Sequence, residues 1–146
     1  MKPFAYFEPA TLAEAVEILS ERKNGACPLA GGTDLLVRMK REEITPLALV
    51  NLKRISGLSY IERAGQGGVR VGALTSIAEI ERSSFLQASH PLLAEAAAVL
   101  AVPSIRNLAT LGGNIGRASP ASDMAPSLMV LKARLNLTGP GGSKEV

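Results

Sequence analysis

The chain has no tryptophan, and its three phenylalanines and two tyrosines make only 3% of 146 residues aromatic. A core so poor in rings has to be built from Leu, Val, Ile and Ala, and few rings are on hand to stack on a base or a flavin. Cys27 is the one cysteine and His90 the one histidine. One thiol excludes a disulfide framework and a thiolate metal site within the chain. Flanked by Ala26 and Pro28-Leu29, Cys27 reads as a core thiol in a buried strand, whereas His90, just before Pro91, reads as a surface loop residue. An excess of one charge is also missing. Sixteen Lys and Arg against 13 Asp and Glu leave +3, which is too little and too scattered for a nucleic-acid footprint. The densest basic run, Arg38-Met39-Lys40-Arg41, is followed at once by Glu42-Glu43. It reads as a solvated helix end, with a docking patch for an acidic partner as the other reading. No stretch approaches the roughly 20 apolar residues of a membrane span. The opening Met1-Lys2-Pro3-Phe4-Ala5-Tyr6 has no secretory h-region, so a cytoplasmic protein is expected. Neither G-x-G-x-x-G nor G-K-S/T occurs, which removes the Rossmann and P-loop signatures.

What is present is 47% apolar and 20% charged, the composition of a globular protein rather than a disordered one. A chain this long buries roughly 70% of its unfolded surface, so it needs no staples. Phe4–Phe7 reads as a strand and Thr11 as the cap of a helix, with Glu14 completing a capping box and Leu12, Ala15, Val16 and Leu19 on one face. Strands at 26–30 and 47–52 bracket a second helix at 33–40. This alternation predicts a small, mostly parallel sheet with right-handed crossovers. The texture changes near Lys53–Gly57. Strands at 58–62 and 69–72 flank a hairpin turn. Helices are expected at 76–82, capped by Ser76 and Glu79, at 91–102, and at 123–132. A strand at 134–138 enters Gly139-Pro140-Gly141-Gly142, and nothing is expected to return from that turn. The domain reading is therefore an α/β lobe over 1–54 and an incomplete α+β lobe over 55–146.

Two glycine pairs stand out. Leu29-Ala30-Gly31-Gly32-Thr33-Asp34-Leu35 joins a strand to a helix, and Ala109-Thr110-Leu111-Gly112-Gly113-Asn114 follows an apolar helix. Adjacent glycines let the backbone turn sharply and come close to a ligand. The exposed N–H groups of such a turn suit a phosphate or pyrophosphate. Thr33 and Thr110 add hydroxyl donors, and Asn114 adds an amide that can bridge loops. The other reading of the first pair is a plain strand–turn–helix junction. Asp34, in the first helical turn, accepts N–H bonds or favours the helix dipole. Arg106 neutralises a diphosphate or makes a surface or inter-subunit salt bridge. Asp123, after Ser119-Pro120-Ala121-Ser122, caps a helix, accepts from ribose or ribityl hydroxyls, or does both.

With these loops, the opening Phe4-x-Tyr6-x-x-Pro9-x-x-Leu12-x-Glu14-Ala15, Val71-Gly72-Ala73 and Ile105-Arg106-Asn107, the chain resembles a family along its whole length. It is similar to the FAD-binding medium subunits of molybdenum hydroxylases, such as the medium chain of carbon monoxide dehydrogenase and the flavin domain of xanthine dehydrogenase. The resemblance implies a two-lobed FAD-binding fold of the PCMH/vanillyl-alcohol-oxidase type, α+β in class, with FAD between the lobes. It implies that Leu29, Ala30, Gly31, Gly32, Thr33, Asp34 and Leu35, with Ala109, Thr110, Leu111, Gly112, Gly113 and Asn114, wrap the pyrophosphate, and that Asp123 bonds a sugar-type hydroxyl. The implied partners are a molybdenum-cofactor large subunit and a 2Fe–2S small subunit. Electrons pass through the flavin to NAD, a quinone or oxygen, and no residue of this chain is a catalytic acid, base or metal ligand. Against the family pattern the chain is about half length, without the rest of the second lobe or a C-terminal domain. That motivates an alternative: a truncated interaction module that docks on partner subunits without holding flavin.

Overall fold

The computed structural model describes residues 1–146 as a mixed α+β protein of two compact units, Met1–Ser56 with Arg134–Val146, and Gly57–Ala133. In the first unit, β1 (Ala5–Phe7) leads into α1 (Leu12–Arg22), β2 (Ala26–Leu29), α2 (Leu35–Lys40) and β3 (Ala48–Asn51). The three strands form a wholly parallel sheet in the order β1-β3-β2, with Tyr6, Leu49 and Cys27 in register. All four residues of β3 are buried. An uninterrupted Ala-Leu-Val suits a central parallel strand covered on both faces. Leu29, Met39 and Leu49 form a small core with Phe4, Leu35, Leu36 and Ile44 around it. Cys27 is half-buried rather than a full core residue.

The caps of this unit are local chemistry. Thr11 Oγ1 accepts from the Glu14 N–H, and the Glu14 carboxylate accepts from the Ala10 N–H, one residue before the cap. The box therefore closes one residue outside its expected position, and both oxygens still quieten orphan donors. Leu12, expected on the buried face, is exposed, and Ala15 carries that face instead.

The second unit begins with a hairpin, β4 (Ile61–Arg63) against β5 (Val69–Val71), turned through Gln66 and Gly67, both at positive φ. Six helices follow: α3 (Ile77–Arg82), α4 (Ser84–Ser89), α5 (Pro91–Val99), α6 (Pro103–Arg106), α7 (Leu111–Gly116) and α8 (Met124–Val130). The capping box of α3 forms as read, with Ser76 and Glu79 bonding each other's N–H. Helices α3, α4 and α8 pack on α5. Their core is Ile77, Ile80, Leu86, Leu93, Ala94, Ala97 and Met124, aliphatic as the composition demands. Burying such side chains contributes about 1.5–3 kcal/mol each. His90 is half-buried at the α4–α5 junction, its Nδ1 2.9 Å from Ser89 Oγ.

Two readings need correction here. The helix expected to run to Val102 stops at Val99, because Leu100 turns extended, Ala101 takes φ +46° and Pro103 starts a new helix. The strand entering Gly139 does return: β6 (Asn136–Gly139) pairs antiparallel with β7 (Gly142–Glu145), through Gly142 at φ +100°. Residues 134–146 group with the first unit, where β6 contacts α1. No helix is long and apolar enough to cross a membrane.

Candidate functional site

Parallel strands end at one edge of their sheet, the usual place for ligand loops in open α/β sheets. At that edge β2 runs out at Leu29 into Ala30-Gly31-Gly32-Thr33, all half-buried, and then α2. Gly32 has φ +77°, and a Cβ there would sit 3.1 Å from both Leu29 Cδ1 and Leu36 Cδ1. Only glycine takes this left-handed, enclosed position without strain. Helical bonding starts with the Gly32 carbonyl, which accepts from the Leu36 N–H at 3.1 Å. The N–H groups of Gly31, Gly32 and Thr33 precede that first bond, and the opening amides of a helix have no intrahelical acceptor. Asp34 does not cap α2, whose N-cap has helical dihedrals and no side-chain bond. Its carboxylate lies 3.8 Å from Arg38 one turn on. Beside this loop, buried Asn51 donates from Nδ2 to Glu8 Oε1 at 3.1 Å and accepts the Lys53 N–H. Asn51 was not singled out from the sequence. Its signal was a polar residue closing an otherwise apolar strand.

The second glycine pair departs from the expected open loop. Thr110 is the N-cap of α7, and Gly112-Gly113 form the first helical turn. Thr110 Oγ1 accepts from the Gly113 N–H at 3.1 Å. The Leu111 N–H donates to Thr75 O, and the Gly112 N–H to Ala73 O. Those three N–H groups are thus already paired within the chain. The reason for Gly112 is packing: a Cβ would stand 2.7 Å from Ala73 O and 2.8 Å from Ala73 Cβ. Thr75, almost fully buried, both donates to Tyr60 O and accepts from the Tyr60 N–H, which fixes the opposing segment. Exposed Gly113, the Thr110 hydroxyl proton and the half-buried Asn114 amide remain for a ligand.

Asp123 precedes α8 but makes no cap bond. Ser122 caps instead: its Oγ accepts from the Ala125 N–H at 3.1 Å and donates to Asn114 Oδ1 at 2.5 Å. The exposed Asp123 carboxylate is left as an uncommitted acceptor on the rim of a groove of about 600 Å³ that also includes Ala96, Val99, Ser122 and Pro126. Arg106 is neither a diphosphate ligand nor a surface ion pair. It is buried, with Nε 2.8 Å from Glu81 Oε2 and Nη2 3.2 Å from Oε1, and Nη1 donates to Leu100 O and Ala101 O. This clamp holds the α5–α6 corner. The scarce rings are covered as well, with arginines over Phe7, Tyr60 and Phe85. Chemically, the two units offer hydrogen-bond donors suited to an anion and one free carboxylate suited to hydroxyls.

Residues 2–146 match the family model described as the FAD binding domain in molybdopterin dehydrogenase. The carbon monoxide dehydrogenase medium chain of Afipia carboxidovorans is 38% identical over 143 residues, 98% of this chain and 49% of that protein. The xanthine dehydrogenase FAD-binding subunit of Escherichia coli O157:H7 is 32% identical over 97% of this chain and 48% of that one. Among solved structures, a reconstituted CO dehydrogenase from Oligotropha carboxidovorans superposes with TM-score 0.96 at 37% identity, covering 99% of this chain and 50% of that one. The chain thus spans about half the length of the curated relatives it matches.

Proposed function

Because this chain belongs to the family of FAD-binding domains in molybdopterin dehydrogenases, we propose that it is the flavin-binding component of a molybdenum hydroxylase and holds the pyrophosphate of FAD with its two glycine-bearing segments. The observation that carries this reading is the Gly32 turn. It pairs left-handed backbone with a helix start at the C-terminal edge of a parallel sheet, an arrangement whose free N–H groups suit a diphosphate.

The residues present fit such a group. Gly31, Gly32 and Thr33 offer backbone donors and a hydroxyl, while Leu29, Ala30 and Leu35 flank them with apolar surface. On the other segment the Thr110 hydroxyl and the Asn114 amide donate to phosphate oxygens, and Gly113 leaves room for them. Ala109, Leu111 and Gly112 keep that segment pinned through bonds to Ile77, Thr75 and Ala73. Asp123 accepts from a ribityl or ribose hydroxyl, and Asp34, tied to Arg38, stays off the phosphates. When bound, the flavin would supply the redox chemistry for passing electrons from iron–sulfur clusters to NAD, a quinone or oxygen. The chain's own residues bind and orient; none is required to move a proton. The partners in this reading are a molybdenum-cofactor large subunit and a 2Fe–2S subunit.

The test is purification in the presence of FAD, alone and with both partner subunits, followed by gel filtration and an absorbance spectrum. Flavin absorbance travelling with the protein is expected. A chain that never retains flavin in either setting overturns the reading. Flavin-free capture by the partner subunits favours the docking-module alternative.

A further inference from the structure

We propose that Ser122 is a positioning residue that locks the Asn114 carboxamide with its NH2 group turned to the cofactor; the inference rests on the reading above, in which Asn114 contacts FAD. A carboxamide has two nearly isosteric orientations, one presenting a donor and the other an acceptor. Against a phosphate only the donor is useful, so an unconstrained Asn114 would spend part of its time in the wrong state.

Ser122 removes that freedom. Its Oγ accepts from the Ala125 N–H at 3.1 Å, which occupies one lone pair. Its contact to Asn114 is 2.5 Å. That separation falls in the O–H···O range, about 2.5–3.0 Å, and short of the N–H···O range, about 2.7–3.2 Å. The atom facing Ser122 is therefore the amide oxygen, and the hydroxyl proton lies on it. With Oδ1 claimed, Nδ2 faces away and can only donate. The same hydroxyl caps α8 directly after the free Asp123 carboxylate. One oxygen thereby couples the donor on α7 to the acceptor at the start of α8, and the pair discriminates an anion from a hydroxyl by position.

The experiment is FAD titration by fluorescence on the full chain, for wild type, Ser122→Ala, Ser122→Thr, Asn114→Ala and the double Ser122→Ala/Asn114→Ala variant, each with a melting curve recorded without flavin. Ser122→Ala should weaken FAD about tenfold, the loss of one well-placed hydrogen bond. Ser122→Thr, which keeps the hydroxyl, should stay within about twofold of wild type. In the Asn114→Ala background, Ser122→Ala should cost no further affinity, while its small drop in melting temperature from the lost cap persists in both backgrounds. Equal affinity losses in both backgrounds would show that Ser122 acts through α8 and overturn the proposal. So would an Asn114→Ala loss without any Ser122→Ala loss. Where the wild-type chain binds no FAD alone, the same titrations are run with both partner subunits present; no FAD binding in that setting either, or an Asn114→Ala variant that binds it normally, instead defeats the underlying reading of the site, and the proposal with it.

Discussion

Replacing Gly112 by alanine should unfold the second unit more readily, although the new methyl group lies in a helix, where alanine is normally favoured over glycine by about 1 kcal/mol. The methyl would stand 2.7 Å from Ala73 O, 2.8 Å from Ala73 Cβ and 3.1 Å from Ala73 Cα. Two of those three atoms are backbone, so no flexible side chain can swing aside. The backbone at 109–112 must move off 73–77, which loosens the bonds from the Gly112 N–H to Ala73 O and from the Leu111 N–H to Thr75 O. Overpacking of this kind costs roughly 1–3 kcal/mol, and each weakened bond about 0.5–1.5 kcal/mol more. Set against the helix propensity gain of about 1 kcal/mol, the net loss is roughly 1–5 kcal/mol. The internal control is Gly116→Ala in the same helix, where the added Cβ meets nothing within 4 Å. That variant should be neutral or slightly stabilised. Urea denaturation followed by circular dichroism on both variants measures the difference. If Gly112→Ala matches Gly116→Ala to within about 0.5 kcal/mol, steric exclusion by Ala73 is not why position 112 is glycine.

Other expectations follow from the same contacts. Gly32→Ala puts a Cβ at φ +77° against Leu29 and Leu36. It should cost about 1–2 kcal/mol of stability and lower flavin retention, read by thermal melting and by flavin absorbance after gel filtration. Gly113→Val, at an exposed position, should leave the melting temperature nearly unchanged and still abolish flavin retention. Arg106→Ala strands Glu81 and the carbonyls of Leu100 and Ala101, at side-chain exposures of 11% for Arg106 and 26% for Glu81. A loss of about 3 kcal/mol is expected, and Arg106→Lys should restore only part of it, since an ammonium cannot reproduce the fork. Asp123→Ala should weaken FAD by about 1–3 kcal/mol with no change in melting temperature, because this carboxylate makes no cap bond.

The local features were legible and the long-range ones were not. The Ser76–Glu79 box and the Thr11 cap depend on residues three apart, and both formed. The parallel sheet followed from alternation of short apolar runs with amphipathic stretches, though the central place of β3 did not. Arg106 was read as a cofactor or surface group because its partner, Glu81, lies 25 residues away and nothing in its own neighbourhood announces burial. Gly112 was read as a ligand-facing loop residue for the same reason: the atoms that require glycine belong to Ala73. The return strand β7, Gly-Ser-Lys-Glu, carries no apolar alternation, so only its pairing with β6 reveals it. On the candidate site, the sequence could not show that Ser122 rather than Asp123 makes the cap and leaves the carboxylate free, because both precede α8 and only the fold decides which one bonds Ala125.

The bonds from Leu111, Gly112 and Gly113 to Thr75, Ala73 and Thr110 are complete before any ligand arrives. The N–H groups of Gly31, Gly32 and Thr33, in contrast, make no backbone bond ahead of α2. The two segments therefore differ in what loading can change. Amide hydrogen exchange at 111–113 should already be slow in the empty protein and shift little with FAD, since ordering there carries no further entropic cost. Protection gained on loading should concentrate at 31–33, so the Gly32 turn would report occupancy while the Thr110 segment would report only whether its unit is folded.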